Sequence, residues 1–508
     1  MAFDFTPLIR PYFIRRAART DSWQHLTPQI QRDQLKWLLH KARRTLVGQR
    51  YQFETLSKLA DPYESFRRTV PVVSYEEIRP LAMRMIKGEK DILWPGVCRN
   101  FAQSSGTSGG KSKYIPVTDD SLTKNHYSGS ADVVANYLRR NPSSKMFSGK
   151  GFILGGSFAN ELNIADPKIK VGDLSATLID RMPSLAEAIR IPDKKTALLA
   201  DWDLKLPRLA ETAMRTNVTN ISGVPSWFLV VLKEILRISG KSTLQDIWPN
   251  FEVFFHGGIS FAPYRNEYLK ITDPEKMHFV ETYNASEGFF ATQSDFSRSS
   301  LLLLIDNGIF YEFAEPETPD ALIPISDVVP GKIYELIITS PNGLWRYRLG
   351  DTVKIESTNP VTITVAGRTK SFINAFGEEL MENNAEAAIA RTCEILGASI
   401  ANYTAAPIYT EGGKRGRHQW LIEWHVPPRS LDEFSSILDT ELRRLNSDYD
   451  AKRTGDIFLD SPAIVTAKKG IFDQWLRSAG THKLGGQRKV PRLSNTRDII
   501  EAILPLNK

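Results

Sequence analysis

Cysteine is almost absent from this 508-residue chain, with Cys98 and Cys393 the two that occur. Two thiols build neither a disulfide framework nor a thiolate-rich zinc site, and they suit a reducing compartment, so a cytoplasmic protein is expected. Long hydrophobic runs are missing as well. The aliphatic stretch Leu301–Ile305 stops at Asp306, far below the ~20 apolar residues that a bilayer span needs. The N-terminal stretch interleaves Asp4, Arg10, Arg15 and Arg16 with short apolar pieces, leaving no uninterrupted h-region for a secretory signal. Neither sign of charge dominates: 65 Lys and Arg against 58 Asp and Glu give a net +7, dispersed along the chain and not gathered into a basic run. A solvated basic surface accounts for it, with no nucleic-acid or membrane partner implied. Internal repeats and low-complexity tracts are lacking too.

What is present is ample core material. Hydrophobic residues make up 42% and charged residues 24%, the balance of a globular protein of two or three domains. Between about Ser22 and Ala60, Leu35, Leu38, Leu39 and Leu46 recur at helical spacing. Beyond, short β-like runs (Gly151–Leu154, Glu252–Phe255) alternate with helical stretches such as Ser226–Ser239, introduced by Pro225. Such alternation argues α/β. Between Ile309 and Val365 the character turns to β, in runs Lys332–Thr339, Leu344–Leu349 and Val361–Val365 that suggest a mostly antiparallel subdomain. After Gly367 come a helix (Asn383–Leu396), a strand (Gln419–His425) and a helix (Ser430–Leu445). A separate C-terminal domain over 368–508 follows from this, with 1–367 as the larger one.

The segment Gln103–Pro116 packs five serine and threonine residues, three glycines and two lysines between apolar stretches. Glycines let backbone amides turn toward a phosphate, hydroxyls add donors, and Lys111 or Lys113 can supply charge. An exposed polar turn has the same composition. A nucleoside-triphosphatase P-loop needs four residues between its first Gly and the GK pair, whereas Gly106 and Gly110 enclose three. The GxSxG at Gly106–Gly110 would suit a hydrolase nucleophile elbow at Ser108, but that motif demands a following helix, and Tyr114–Val117 reads as a strand. Two further segments stand out. In Glu281–Ala291 an aromatic and two small residues precede the carboxylate Glu287, which alone would read as a cap or surface charge. In Leu344–Asp351, alternation puts Trp345, Tyr347 and Leu349 on one face and Arg346 and Arg348 on the other, with Asp351 reading as a turn residue.

Taken in order, these three segments resemble the adenylate-forming superfamily and, more narrowly, the auxin-responsive, hormone-conjugating acyl-acid amido synthetases. That family is best known from plants and occurs in bacteria; a bacterial member is expected. Its SSGTSGG stands here at Ser104–Gly110, its Tyr-x-x-Ser-Glu at Tyr283–Glu287 and its YRxGD at Tyr347–Asp351. Phe310–Phe313, Tyr334–Leu336 and Gln487–Arg492 are further matches, and the likeness runs from about Arg68 to the C-terminus. It implies a large adenylate-forming domain with β-sheets, a small mobile α+β C-terminal domain, and ATP and Mg²⁺ as cofactors. By the same resemblance Ser104, Ser105, Gly106, Thr107 and Ser108 face the phosphates, Glu287 holds the metal, and Tyr283 lies on adenine with Gly257, Gly258 and Thr282 beside it. Ser286 completes that edge, Asp351 takes the ribose hydroxyls, Arg368 marks the hinge, and Lys489 is the catalytic lysine brought in by domain closure. The acidic Phe372–Glu382 carries no second catalytic lysine that we assign. Helical segments over Asp120–Arg139 and Ser157–Asp180 are expected to line the acyl pocket.

The implied partners are a small carboxylic acid and an amino acid or other amine, in a monomeric enzyme. Two other readings use the same residues: an acyl-CoA ligase with the same adenylate chemistry, and a non-catalytic nucleotide-binding protein of the same fold. The joint presence of Glu287, Asp351 and Lys489 speaks against the latter.

Overall fold

The computed structural model describes residues 4–104, 113–158, 160, 162, 164–258, 261–368, 372–373, 375, 378, 380–408, 416–446, 449–450, 453, 459–478, 490–494 and 496–507. The architecture is mixed α/β. It divides into two compact units, one formed by residues up to Gly258 and Ile271–Thr364, the other by 261–270 and by described residues from Val365 onward. Among the described residues no helix is long and apolar enough to cross a membrane.

The first unit is organised by a sheet of twelve described strands, in the order Leu322–Pro324, Phe310–Ala314, Ile333–Ser340, Leu344–Thr358, Val361–Arg368, Leu301–Leu303, Gly288–Gln293, His278–Ala285, Val253–Gly257, Val218–Gly223, Lys150–Ile153 and Arg190–Ile191. From His278–Ala285 onward the neighbours pair in parallel. The β-rich stretch is antiparallel, as its composition suggested, and its strands belong to the same sheet. The hairpin His278–Gln293 reverses the direction once and adds the antiparallel half to the same sheet through Leu301–Leu303.

Local chemistry places these elements. Pro225 starts the helix Pro225–Ser239 at its first turn, where a missing N–H costs nothing, and Gly240 ends it at φ +64°. Leu35, Leu38 and Leu39 are fully buried on the helix Trp23–Ala42. Leu46 departs from the expected stripe: Thr45 caps a new short helix, Leu46–Arg50, and leaves Leu46 exposed. The stretch expected to be helical over Ser157–Asp180 is so only at Leu174–Asp180, with a strand at Lys170–Gly172 before it. Over Asp120–Arg139 helix does form, as a π-helical turn at Ser121–His126 running into Tyr127–Arg140.

In the second unit, Ser399–Ile408 pairs antiparallel and Ala463–Ala467 parallel with Arg417–Val426. The helices Glu382–Leu396 and Leu431–Leu445 bury Ile389, Phe434 and Leu438 in a core with Tyr403 and Trp420.

One buried ion pair anchors the strand that carries the third motif. Arg346 forks onto Glu312 with two contacts of 2.8 Å, and its remaining nitrogen donates to the carbonyls of Arg67 at 2.9 Å and Val70 at 2.8 Å. Both side chains are nearly inaccessible, so removing either charge strands the other. Glu312→Gln should lower stability by about 3–5 kcal/mol, read as a fall in the urea midpoint; a midpoint equal to wild type would contradict the anchoring role.

Candidate functional site

The glycine-rich segment is held by its two ends. Asn100–Ser104 and Lys113–Val117 form an antiparallel pair with Ser104 opposite Lys113. A strand beginning at Lys113 leaves no place for the helix that a P-loop or nucleophile elbow requires. Ser105, Gly106, Thr107 and Ser108 lie outside the described residues, as does the side chain of Ser104. Beneath the exit strand, Ser74 and Glu77 form a capping box that starts the helix Tyr75–Ile86. Tyr75 is thereby set at the helix N-terminus, where its hydroxyl accepts the Tyr114 N–H at 2.6 Å.

The second and third motifs meet at the carboxyl end of the parallel strands. Gly257 pairs with Thr282, and a Cβ on Gly257 would lie 2.5 Å from the Thr282 carbonyl oxygen. Gly258 follows at φ +82°, a left-handed backbone open to glycine. Thr282 Oγ1 donates to the His256 carbonyl at 3.0 Å, tying the two strands together. Tyr283 is buried against Phe290 and donates its hydroxyl to Asp351 Oδ2 at 2.6 Å. Asp351 is itself 7% exposed and lies within the strand Leu344–Thr358, so the turn reading is corrected.

Glu287 is not a surface charge either. It sits 5% exposed, with Ser286 at 2%, in the tight turn between His278–Ala285 and Gly288–Gln293. Burial, then the negative charge of Glu287, pushes the Tyr347 phenol well above the ordinary range. Lys113 Nζ donates to Tyr347 Oη at 3.2 Å. The residue taken for the ribose is thus met by a tyrosine hydroxyl of the second motif. The simple face alternation of Leu344–Leu349 is interrupted, because Arg346 adopts φ +46° and the ladder shifts register across it, between Leu344 and Tyr347, and again between Arg348 and Thr352.

Arg368 ends the strand Val361–Arg368 and its side chain is outside the described set. Lys489 is outside it altogether. The described residues that follow are tied to the second unit: Ala405 N donates to Arg492 O at 2.8 Å, Ser494 N to Ala405 O at 3.0 Å, and Thr404 Oγ1 to Pro491 O at 2.7 Å. Sequence reasoning passed over Tyr75 and Glu281. Glu281 lies two residues before Tyr283 on one strand, partly buried, and desolvation raises its carboxyl to about 7. Nothing in its spacing announced that, since the shift comes from what packs around it.

Models of the GH3 family match in three parts: the N-terminal domain over residues 21–277, the central domain over 302–368 and the C-terminal domain over 383–498. A probable indole-3-acetic acid-amido synthetase GH3.1 of Oryza sativa subsp. japonica is 23% identical over 532 residues, spanning 87% of this chain and 84% of that relative. The 4-substituted benzoates-glutamate ligase GH3.12 of Arabidopsis thaliana is 23% identical, spanning 91% and 92%. The solved structure of AtGH3.15 acyl acid amido synthetase in complex with 2,4-DB superposes with a TM-score of 0.77 at 20% identity, covering 100% of this chain and 98% of that one. That likeness establishes the fold.

Two outcomes follow from the site. Asp351→Asn keeps the shape but replaces one acceptor by a donor, and should weaken ATP binding by roughly 1–3 kcal/mol, the scale for a charged hydrogen bond; unchanged affinity by calorimetry would reduce Asp351 to a structural residue. For Glu281, the folded protein holds its proton to about pH 7 while the unfolded chain releases it near the ordinary 4.5. Its contribution to stability is therefore full below the unfolded value and declines as pH rises toward 7. Glu281→Gln should remove that decline, giving a higher urea midpoint than wild type at pH 8 and no gain at pH 4.5.

Proposed function

The chain belongs to the GH3 family, and we propose that it is an ATP- and Mg²⁺-dependent acyl-acid amido synthetase, joining a small carboxylic acid to an amino acid or other amine. The observation that carries this reading is the meeting of the second and third motifs, far apart in sequence, where buried Asp351 accepts the Tyr283 hydroxyl and Lys113 donates to Tyr347. The relatives named for indole-3-acetic acid and for benzoates with glutamate support the acid and the acceptor.

The donor set fits the metal. Among the described residues no three His, Cys, Asp or Glu cluster as a protein-built cage. Mg²⁺ is commonly held by one or two carboxylates together with substrate phosphates and waters. Glu287 would hold it, and when bound it supplies charge neutralisation at the phosphates. Tyr283 and the open backbone at Gly257 and Gly258 offer a flat, close-approach wall for a purine. Asp351 exchanges its bond to Tyr283 for the ribose hydroxyls, for which a two-oxygen acceptor is suited. By the family resemblance, the amides and hydroxyls of Ser104, Ser105, Thr107 and Ser108 would supply donors for the phosphate oxygens.

In the first half-reaction the acid's carboxylate oxygen attacks the α-phosphorus and pyrophosphate leaves. In the second, the amine nitrogen attacks the acyl carbon, loses a proton and AMP departs. Lys489 serves the first step as a mobile point charge on a long stem, carried by a C-terminal domain of residues 368–508 that moves against 1–367 with Arg368 at the hinge. Cys98 and Cys393, both buried and unpaired, suit a cytoplasmic setting, and the reading takes the enzyme as a monomer.

A screen of carboxylic acids for ATP–pyrophosphate exchange, followed by mass spectrometry of products formed with pooled amino acids, tests the reading. Acid-dependent exchange and an amide product are expected; a thioester formed only with coenzyme A, or exchange with no acid in the screen, would overturn it. Lys489→Ala should slow adenylate formation by roughly 10²–10³, the usual loss on deleting one preorganised charge-stabilising group. Amide formation from a presynthesised acyl adenylate should be much less affected, and equal losses in both half-reactions would remove the domain-movement role.

A further inference from the structure

The loop that carries Glu287 is two residues long: Ala285 pairs with Gly288, leaving Ser286 and Glu287 between them. Its far arm, Gly288–Gln293, is paired with Leu301–Leu303 only as far as Ala291. Phe289, two residues beyond Glu287, lies past the end of that ladder, and a side chain takes up its backbone instead. Asn125 Oδ1 accepts the Phe289 N–H at 2.6 Å, while Asn125 Nδ2 donates to the carbonyls of Phe289 and Asn307, each at 3.0 Å.

These three bonds fix the amide. Turned over, its NH₂ would face the Phe289 N–H and its oxygen would face two carbonyls, donor against donor and acceptor against acceptor. Asn125 is fully buried and sits in the π-helical turn Ser121–His126, a geometry frequent at functional sites. The turn is itself tied down. The Thr118 hydroxyl accepts the Ser121 N–H at 3.0 Å and donates to the Pro341 carbonyl at 2.6 Å, and Asn307 Nδ2 donates to the Asn125 carbonyl at 3.2 Å. Packing adds a second constraint. A Cβ on Gly288 would lie 3.3 Å from Asn125 Oδ1 and 2.9 Å from Ile309 Cδ1, and a Cβ on Gly129, four residues on from Asn125, would lie 2.6 Å from the Phe289 ring. The hairpin is thus pressed onto the helical segment, and a methyl group at Gly129 would displace it.

We infer that Asn125 is a positioning residue for Glu287: from the π-helical turn it holds the backbone of the hairpin that presents the carboxylate, and so sets the site's affinity for a divalent cation without contacting the ion. The inference rests on the proposed metal role of Glu287. Ligands work as a set only when held to within about 0.5 Å of their geometry, and a two-residue loop passes any shift of Phe289 on to Glu287.

The test is Mn²⁺ binding, followed by electron paramagnetic resonance, to the full-length protein with α,β-methylene-ATP, for wild type, Asn125→Ala, Gly129→Ala, Glu287→Gln and Gln245→Ala. Gln245 is the control for lost stability. It is another buried amide that clasps backbone, accepting the Asp273 N–H at 2.8 Å and donating to the Phe251 carbonyl at 3.2 Å, but it does so ahead of the amino ends of the strands Val253–Gly257 and His278–Ala285. Asn125→Ala should weaken Mn²⁺ about 10–100-fold, the range for losing a partner that orients a metal ligand, while binding of the analogue in EDTA stays unchanged. Gly129→Ala removes no hydrogen-bonding group but displaces Phe289, and should weaken Mn²⁺ in the same direction. Gln245→Ala should lower the urea midpoint and leave Mn²⁺ affinity at the wild-type value. Wild-type Mn²⁺ affinity in Asn125→Ala, or in Gly129→Ala should Asn125→Ala not fold, overturns the inference, as does an equal loss in Gln245→Ala. If Glu287→Gln loses Mn²⁺ while the Asn125 and Gly129 variants keep it, the inference alone falls; if Glu287→Gln binds as wild type does, the metal reading falls with it.

Discussion

A buried guanidinium sets the frame of the site. Arg346 stands at φ +46°, a conformation that costs a non-glycine residue of order 1–3 kcal/mol and persists only where the surroundings over-determine it. Here they do, through the two contacts to Glu312 and the carbonyls of Arg67 and Val70. The kink breaks the ladder between Ile333–Ser340 and Leu344–Thr358. Past it, the chain carries Tyr347 and Asp351 to the hairpin that holds Tyr283 and Glu287. A straight strand in unbroken register would aim those two side chains by simple alternation and nothing else.

The carboxylates that result are buried, and a buried carboxylate is tolerable only with partners. One partner of Asp351 is a phenol, that of Tyr283, whereas Glu312 and Glu335 are paired with the guanidinium groups of Arg346 and Arg348.

Much of this was legible in the chain. The spacing of SSGTSGG, Tyr-x-x-Ser-Glu and YRxGD carried the family, and the family models confirm it over all three parts. Strand and helix periodicity located Pro225–Ser239, Ile333–Ser340 and Leu431–Leu445 to within a residue or two, because burying one face of a regular element repeats with that element's own period. Composition also reported the β-rich stretch, but that its strands join the same sheet as the parallel ones depends on hydrogen bonds between segments far apart in the chain.

By itself, then, the sequence determined the fold class, the family and which residue types could meet a nucleotide and a metal, since these rest on local spacing and side-chain chemistry. Only the tertiary structure decided that Glu287 and Asp351 are buried and not surface charges, that Asp351 accepts the hydroxyl of Tyr283, that Lys113 donates to Tyr347, and that desolvation lifts Glu281. Burial and partnership are properties of what packs around a residue, and residues separated by 60 positions or more, as Tyr283 is from Asp351 by 68, share no local pattern from which their contact could be read.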